Sequence, residues 1–321
     1  MIVIPFGEGQ ARLDWLGLID ALEAGHAQPR AQVEDMFLYR GDDTLLNRAA
    51  WIDGLGLAVK SATIFPGNAA AGMPSVNGGV SLYSDADGML EAVVDFHLVT
   101  KWKTAGDSLL AARKLARSDS EVILILGAGA VARSLREAYA ALFPQARFLV
   151  WNRTPSKAAA LAAEFERTEA VSDLEAAVGR ADIVASATMS AEPVLKGAWL
   201  RPGQHVDLIG AFRPDMREAD DAALTRARLF VDNRATVLGH IGELKIPLER
   251  GVIAEADVVA DFYDRPVKGF ARETSDEITL FKNGGGAHLD LMTARFILDR
   301  WRAGRPPPGK DECAPSAHAG R

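Results

Sequence analysis

The feature that most constrains this chain is a junction, where an unbroken apolar run ends in glycine and turns at once into an Ala-rich segment. Glu121-Val122-Ile123-Leu124-Ile125-Leu126 leads into Gly127-Ala128-Gly129-Ala130-Val131-Ala132. A run that is apolar at successive positions, not at alternate ones, suits a strand covered on both faces, and such strands belong to parallel sheets. The six residues after it read G-x-G-x-x-A. A strand before the pattern and a helix after it give that short motif its meaning. Gly127 permits the tight turn. Gly129 lets a pyrophosphate approach the backbone at a helix N-terminus, and Ala132 allows close helix–strand packing. The alternation continues downstream, with a helix at 130–143, a strand at 147–151, helices at 155–165 and 173–179, and strands at 182–187, 204–209 and near 229–232. This predicts the α/β class, with a Rossmann-type doubly wound parallel sheet over residues 116–287.

The 321 residues are too many for one ordinary domain, so the flanks are read as a second. Residues 13–24 have helical spacing of Leu and Ile. Residues 33–39, 55–64, 78–83 and 89–94 read as short strands, with Asp85-Ala86-Asp87-Gly88 as a hairpin turn. A long helix is expected over 98–117, closed by Asp119-Ser120. The well-patterned stretch 287–302 is expected to be a helix that packs back on the N-terminal elements. The second domain is then α+β and discontinuous, made of 1–115 and 288–321. From Ala303 on, Gly and a run of prolines give the composition of a disordered tail.

Composition narrows the function classes. A formal charge of −7 argues against a nucleic-acid partner, which wants a basic face. The one cysteine, Cys313, permits no intrachain disulfide, and with six scattered histidines it offers no structural metal site. Met1-Ile2-Val3-Ile4-Pro5 lacks the basic and apolar parts of a signal peptide. No stretch reaches the ~18 apolar residues of a membrane helix. A cytoplasmic protein with no membrane partner and no metal is expected.

The end of the second Rossmann strand bears on the cofactor. NAD-binding sites of this kind carry an acidic residue there for the ribose 2′-hydroxyl. This chain has Asn152-Arg153-Thr154. An Arg and a Thr would hold a 2′-phosphate that a carboxylate would repel. NADP(H) is therefore preferred, with NAD(H) possible. The plainer reading, Arg153 as a surface charge and Thr154 as a helix cap before Pro155, is compatible with it.

Four segments together resemble the ornithine cyclodeaminase/mu-crystallin family: Lys103-Thr104-Ala105-Gly106, Gly127 to Ala132, Trp151-Asn152-Arg153-Thr154, and Gly210-Ala211-Phe212-Arg213-Pro214-Asp215-Met216-Arg217-Glu218. The similarity extends to about Trp301. It implies a Rossmann domain, a second domain for substrate and dimerisation, a site in the cleft between them, and a homodimer. It also implies a basic cluster that holds a substrate carboxylate, at positions matching Arg30, Lys60 and Lys103, with Asp290 at the start of the last helix. Lys60 sits late in an apolar strand, where a lysine needs a pocket to face. Lys103 departs from the arginine usual in the family. The cofactor set is Gly127, Ala128, Gly129, Ala130, Val131, Asn152, Arg153, Thr154, Thr188 and Gly210.

The family is functionally mixed, so the residues must decide. Its cyclodeaminases carry an aspartate at the place of Phe212, and a phenyl ring can neither give nor take a proton. A reductase draws its hydride from the cofactor. The resemblance, strongest in Trp102–Ser108 and Gly210–Asp220, thus points to an NAD(P)H-dependent reductase of a small cyclic 2-imino acid, with Lys60 as the catalytic candidate. The alternatives are an ornithine cyclodeaminase, a reductase of linear imino acids, and a crystallin-like carrier. Asp215, Arg217, Glu218 and Asp220 read as a charged helix start, and His97 and His288 as structural or exposed.

Overall fold

A computed structural model of the chain describes residues 1–264 and 269–304. The tail beyond Gly304, and Cys313 within it, lies outside the described residues.

The first sheet is built from β1 (Ile2–Ile4), β2 (Gln32–Arg40), β3 (Asp43–Ile52), β4 (Gly56–Ile64), β5 (Val76–Tyr83) and β6 (Leu90–Asp95). Its order is β1-β6-β5-β4-β3-β2, antiparallel except for β1, which runs parallel to β6. The expected turn at 85–88 joins β5 to β6, with Gly88 in the left-handed region (φ 70°). Along β4, Ala58, Lys60 and Ala62 point inward while their neighbours stay half-exposed. That alternation belongs to a sheet covered on one face only. The cover comes from α2 (Trp15–His26), α3 (Phe96–Leu115) and the last helix, α10 (Ala287–Ala303), which packs on β3 and β4 as well as on α2 and α3. Asp14 and Asp95 cap α2 and α3, accepting from Gly17 N and Leu98 N. Leu18, Ile19 and Leu22 of α2 are wholly buried, and each contributes roughly 1.5–3 kcal/mol. A short α1 (Phe6–Gln10) precedes α2.

The second sheet holds β7 (Val122–Leu126), β8 (Arg147–Trp151), β9 (Thr168–Ala170), β10 (Ile183–Ser186), β11 (His205–Leu208), β12 (Arg228–Val231), β13 (Val258–Asp261) and β14 (Thr279–Lys282). The order is β13-β12-β14-β11-β10-β7-β8-β9 and every pairing is parallel. This is the doubly wound Rossmann-type sheet. The winding reverses between β7 and β10, and a ligand crevice opens at such a switch point. Helices α4 (Ala130–Leu142), α5 (Pro155–Ala162), α6 (Leu174–Arg180), α7 (Asp221–Arg226), α8 (Arg234–Val237) and α9 (Gly242–Glu249) lie between these strands in sequence.

One core runs through both halves. Leu109 and Ala112 of α3 share it with Leu135 and Tyr139 of α4, and Trp15 stacks on Trp102 at 4.0 Å. The sequence reading passed over β3. Its Leu45-Leu46 and Ala49-Ala50 pairs break the period-two signal, because much of the strand is only half-buried. It also passed over β1, β9, β13 and β14, which are three or four residues long.

Candidate functional site

On the Rossmann side, β7 ends at Gly127, whose φ of 111° few side chains tolerate. Its N–H donates to Trp151 O (2.8 Å), and a Cβ there would lie 2.8 Å from Ala187 O. Gly129 is the N-cap of α4, and a Cβ built on it would meet nothing within 4 Å. An open backbone at a helix N-terminus suits a pyrophosphate. Ala132 is wholly buried beneath the turn. At the end of β8, Asn152 donates to Thr154 O (3.0 Å). Thr154 is the N-cap of α5, with Pro155 behind it, but its hydroxyl makes no capping bond. Arg153 is exposed and forms no ion pair among the described residues. A guanidinium and a hydroxyl thus stand uncommitted where the adenosine ribose of a dinucleotide would reach, so the residues fit a nicotinamide dinucleotide.

Thr188 and Gly210 lie just past β10 and β11, so close that a Cβ on Gly210 would collide with the Thr188 backbone. Both are tied to Glu218. One Glu218 oxygen accepts from Ser186 Oγ (2.6 Å), Thr188 N (2.8 Å) and Thr188 Oγ1 (2.9 Å); the other accepts from Gly210 N (2.5 Å) and Ala211 N (3.0 Å). The expectation of a charged helix start over 215–220 is corrected here. Glu218 is fully buried, and Arg217 is buried against Asp221 (2.6 Å). Burial pushes the Glu218 carboxyl up, while Lys282 and the hydrogen bonds pull it down. Asp220 does cap α7, accepting from Ala223 N, and Asp215 is exposed beside Arg213. Glu218 escaped notice because its neighbours Asp215, Arg217 and Asp220 mimic a solvated run, and only the long-range bonds distinguish it.

At the sheet's C-terminal edge, β14 runs into Asn283-Gly284-Gly285. Asn283 binds this end to α3, donating to Thr104 O and Ser108 Oγ (3.0 Å each). Here the structure brings together Lys60, Lys103 and Asp290. Lys60 Nζ donates to Asp290 Oδ1 (2.9 Å) and Thr100 Oγ1 (2.8 Å), and lies 4.6 Å from the centre of the Phe96 ring. Lys103 Nζ donates to Gly285 O (2.5 Å) and is 3.8 Å from Asp290 Oδ1. Burial pushes the Lys103 ammonium down to about 8, against the pull of Asp290. Asp290 sits in the first turn of α10. Burial alone would raise it, yet Lys103, Lys60 and Arg48 hold it below the ordinary carboxylate range. Its Oδ2 is buried with no partner among the described residues.

Arg48 is the residue the sequence reading missed. It is the cross-strand partner of Lys60 and donates to Gly285 O (3.3 Å), while Asp35 holds its Nε (3.0 Å). Its signal depended on reading β3 as a strand. Arg30 is not in contact with the lysines. It is half-exposed, pairs with Asp261 (3.6 Å), donates to Asn233 Oδ1 (3.2 Å) and lies over the Tyr263 ring (4.5 Å). Lys60, Lys103 and Arg48 therefore meet two carboxylates, Asp290 and the Asp35 that pairs Arg48, and the surplus positive charge is costly unless a further anion joins it. His97 is exposed. His288 is fully buried and held neutral, chiefly by burial, with no ring hydrogen bond among the described residues. Phe212 is 59% exposed.

The sequence profile of the Ornithine cyclodeaminase/mu-crystallin family matches residues 43–305. A Δ1-pyrroline-2-carboxylate reductase of Paracoccus denitrificans is 53% identical over 92% of this chain and 95% of its own length. The solved structure of Thermococcus litoralis Δ1-pyrroline-2-carboxylate reductase, in complex with NADH and L-proline, is 27% identical with a TM-score of 0.85, covering 94% of this chain and 98% of that one. An archaeal alanine dehydrogenase dimer with bound NAD is 26% identical with a TM-score of 0.86, covering 94% and 96%. A profile match over most of the chain, a half-identical relative and a shared fold agree with the cleft just described: the chain belongs to the ornithine cyclodeaminase/mu-crystallin family.

Proposed function

We propose that this protein is an NAD(P)H-dependent reductase of small cyclic 2-imino acids, converting Δ1-pyrroline-2-carboxylate to L-proline and the six-membered analogue to pipecolate. The observation that carries the reading is the buried excess of positive charge at the C-terminal edge of the Rossmann sheet. Lys60, Lys103 and the half-buried Arg48 face two carboxylates, Asp290 and Asp35, which leaves room for one more. The half-identical Paracoccus relative bears this activity in its name. The exposed phenyl ring of Phe212 offers no proton-transfer group, which disfavours a cyclodeaminase.

In this reading Gly127 to Val131, with Asn152, Arg153, Thr154, Thr188 and Gly210, hold the dinucleotide. A bound nicotinamide supplies the hydride. The chain's own residues do the positioning. The cations fix the substrate carboxylate and so orient the C=N carbon, a contribution that reaches several kcal/mol when geometry is held tightly. Asp290 holds Lys60 in place, and its free oxygen suits a protonated ring nitrogen. Arg30 is kept as a substrate-side residue that would act from the cleft rim. Residues 1–115 with α10 form the substrate half and 116–287 the cofactor half. NADPH is preferred through Arg153.

Two further parts belong to the same reading. A homodimer forms through the first sheet, whose edge strand β2 exposes Met36, Phe37, Leu38 and Tyr39. No helix among the described residues is long and apolar enough to cross a membrane, and one cysteine asks for no oxidising compartment, in keeping with a cytoplasmic place. The test is product identity. Incubation with NADPH and Δ1-pyrroline-2-carboxylate should yield L-proline, matched mole for mole by cofactor oxidised. Ammonia released from ornithine without reductant, and no proline from the imine, would overturn the reading in favour of a cyclodeaminase.

A further inference from the structure

We propose that Lys103 is the acid that protonates the ring nitrogen of the imine. The inference rests on the reductase reading and deepens it. Four neighbouring groups, Arg48, Asp290, His288 and Lys60, are unsuited to the task. Arg48 keeps its proton at any working pH. Asp290 is held as a carboxylate and has none to give. His288, buried behind Gly286, is held neutral. Lys60 commits two of its three donors to Asp290 and Thr100 and lies over the Phe96 ring, so its ammonium is fixed in place.

Lys103 differs. An ammonium has three donors: among the described residues one is committed, to Gly285 O, and the substrate carboxylate takes a second, which leaves one for the ring nitrogen. Asp290 is 3.8 Å away, too far for a hydrogen bond. The side chain is only 7% exposed, so water competes little for its protons. The groups that face it are Asp290 and His288 on α10, Lys60 on β4, Arg48 on β3, Asp107 one turn along α3, and Asp232, which reaches it through Gly285. Burial and the two neighbouring cations loosen its proton, which puts its acidity at about 8, near a working pH, as a general acid requires.

In the step, a Lys103 N–H bond breaks and the proton forms an N–H bond with the nitrogen lone pair. Positive charge passes from the lysine to the ring, and C2 of the iminium then accepts the hydride. The sum is imine plus hydride plus proton to amine. The neutral lysine, relieved of an unsolvated charge between two cations, regains its proton from solvent as product leaves.

The test is single-turnover reduction of Δ1-pyrroline-2-carboxylate across pH 6–9.5 by the wild type and Lys103→Arg. Arginine keeps the positive charge for the carboxylate but cannot give up a proton. The wild-type rate should fall above about pH 8. Lys103→Arg should lose about 10²-fold or more in that rate, lack the pH 8 limb, and hold its imine KM within about fivefold. In cofactor-free protein labelled with 13C-lysine, one resonance should titrate near pH 8 and be missing from the variant. A variant rate within threefold of wild type, a wild-type rate flat to pH 9.5, or no lysine titrating near pH 8 would each overturn the assignment while leaving the reductase reading intact. No turnover by the wild type with either ring size would overturn both.

Discussion

Arg153 stands exposed at the end of β8 with no ion pair among the described residues, and the Thr154 hydroxyl beside it is not spent on capping α5. A guanidinium left uncommitted at the ribose end of a Rossmann crevice would suit the phosphate dianion of the proposed NADPH. Arg153→Ser should therefore lower kcat/KM for NADPH about tenfold or more and leave that for NADH within about twofold, because charge-assisted hydrogen bonds are worth roughly 1.5–3 kcal/mol. Steady-state kinetics with both cofactors would check it, and equal losses with the two would contradict the phosphate role. The substrate side was legible only in part. Lys60, Lys103 and Asp290 come together, whereas Arg48 became visible only once β3 placed it opposite Lys60. Arg30 lies instead against Asp261 and Tyr263.

At the scale of elements, the strands of the second sheet carry buried acids that the sequence read only as polar residues. Asp207, inside β11, accepts from the Tyr139 hydroxyl at 2.8 Å and is fully buried. Burial pushes its carboxyl up to about 7, although Tyr139 and Ser108 pull it down. An acid whose folded value lies above its unfolded value near 4 binds its proton more tightly in the native state. The stability this gives is fully present below pH 4 and is lost as pH rises through 7, at up to ~1.4 kcal/mol per pH unit. Asp207→Asn keeps an acceptor for Tyr139 and removes the titration. Thermal melts should show the variant gaining on the parent between pH 4 and 7 and level above that. A gap that does not change with pH would contradict the account. The alternating helices and strands around β7 were legible because a doubly covered strand must be apolar throughout. Strand β14 was not, since four residues inserted between β11 and β12 carry no periodic signal.

For the whole molecule, the first sheet covers one face with helices and leaves its far edge bare. In β2, Phe37 and Tyr39 stack at 6.1 Å, and Tyr39 is 73% exposed. A long apolar edge strand invites uncontrolled pairing unless a partner covers it. A Phe37→Asp/Tyr39→Asp double variant should run as a monomer in light scattering where the parent runs as a dimer. A parent that is already monomeric would remove the case for a homodimer. The two halves meet through α3, which carries Lys103 on one side and packs against α4 on the other. In the proposed site, a carboxylate bound at Lys103 would be held in register with the helix that begins at the Gly129 turn.

In the proposed reaction the cationic cluster reads the carboxylate of a cyclic imine. The most direct measurement compares kcat/KM for Δ1-pyrroline-2-carboxylate with that for 1-pyrroline, the same ring without its carboxylate, using NADPH. A site built to pair a charged group rejects the analogue lacking it, so a preference of about 10³-fold or more is predicted. Comparable rates with the two rings, or turnover of neither, would contradict the account.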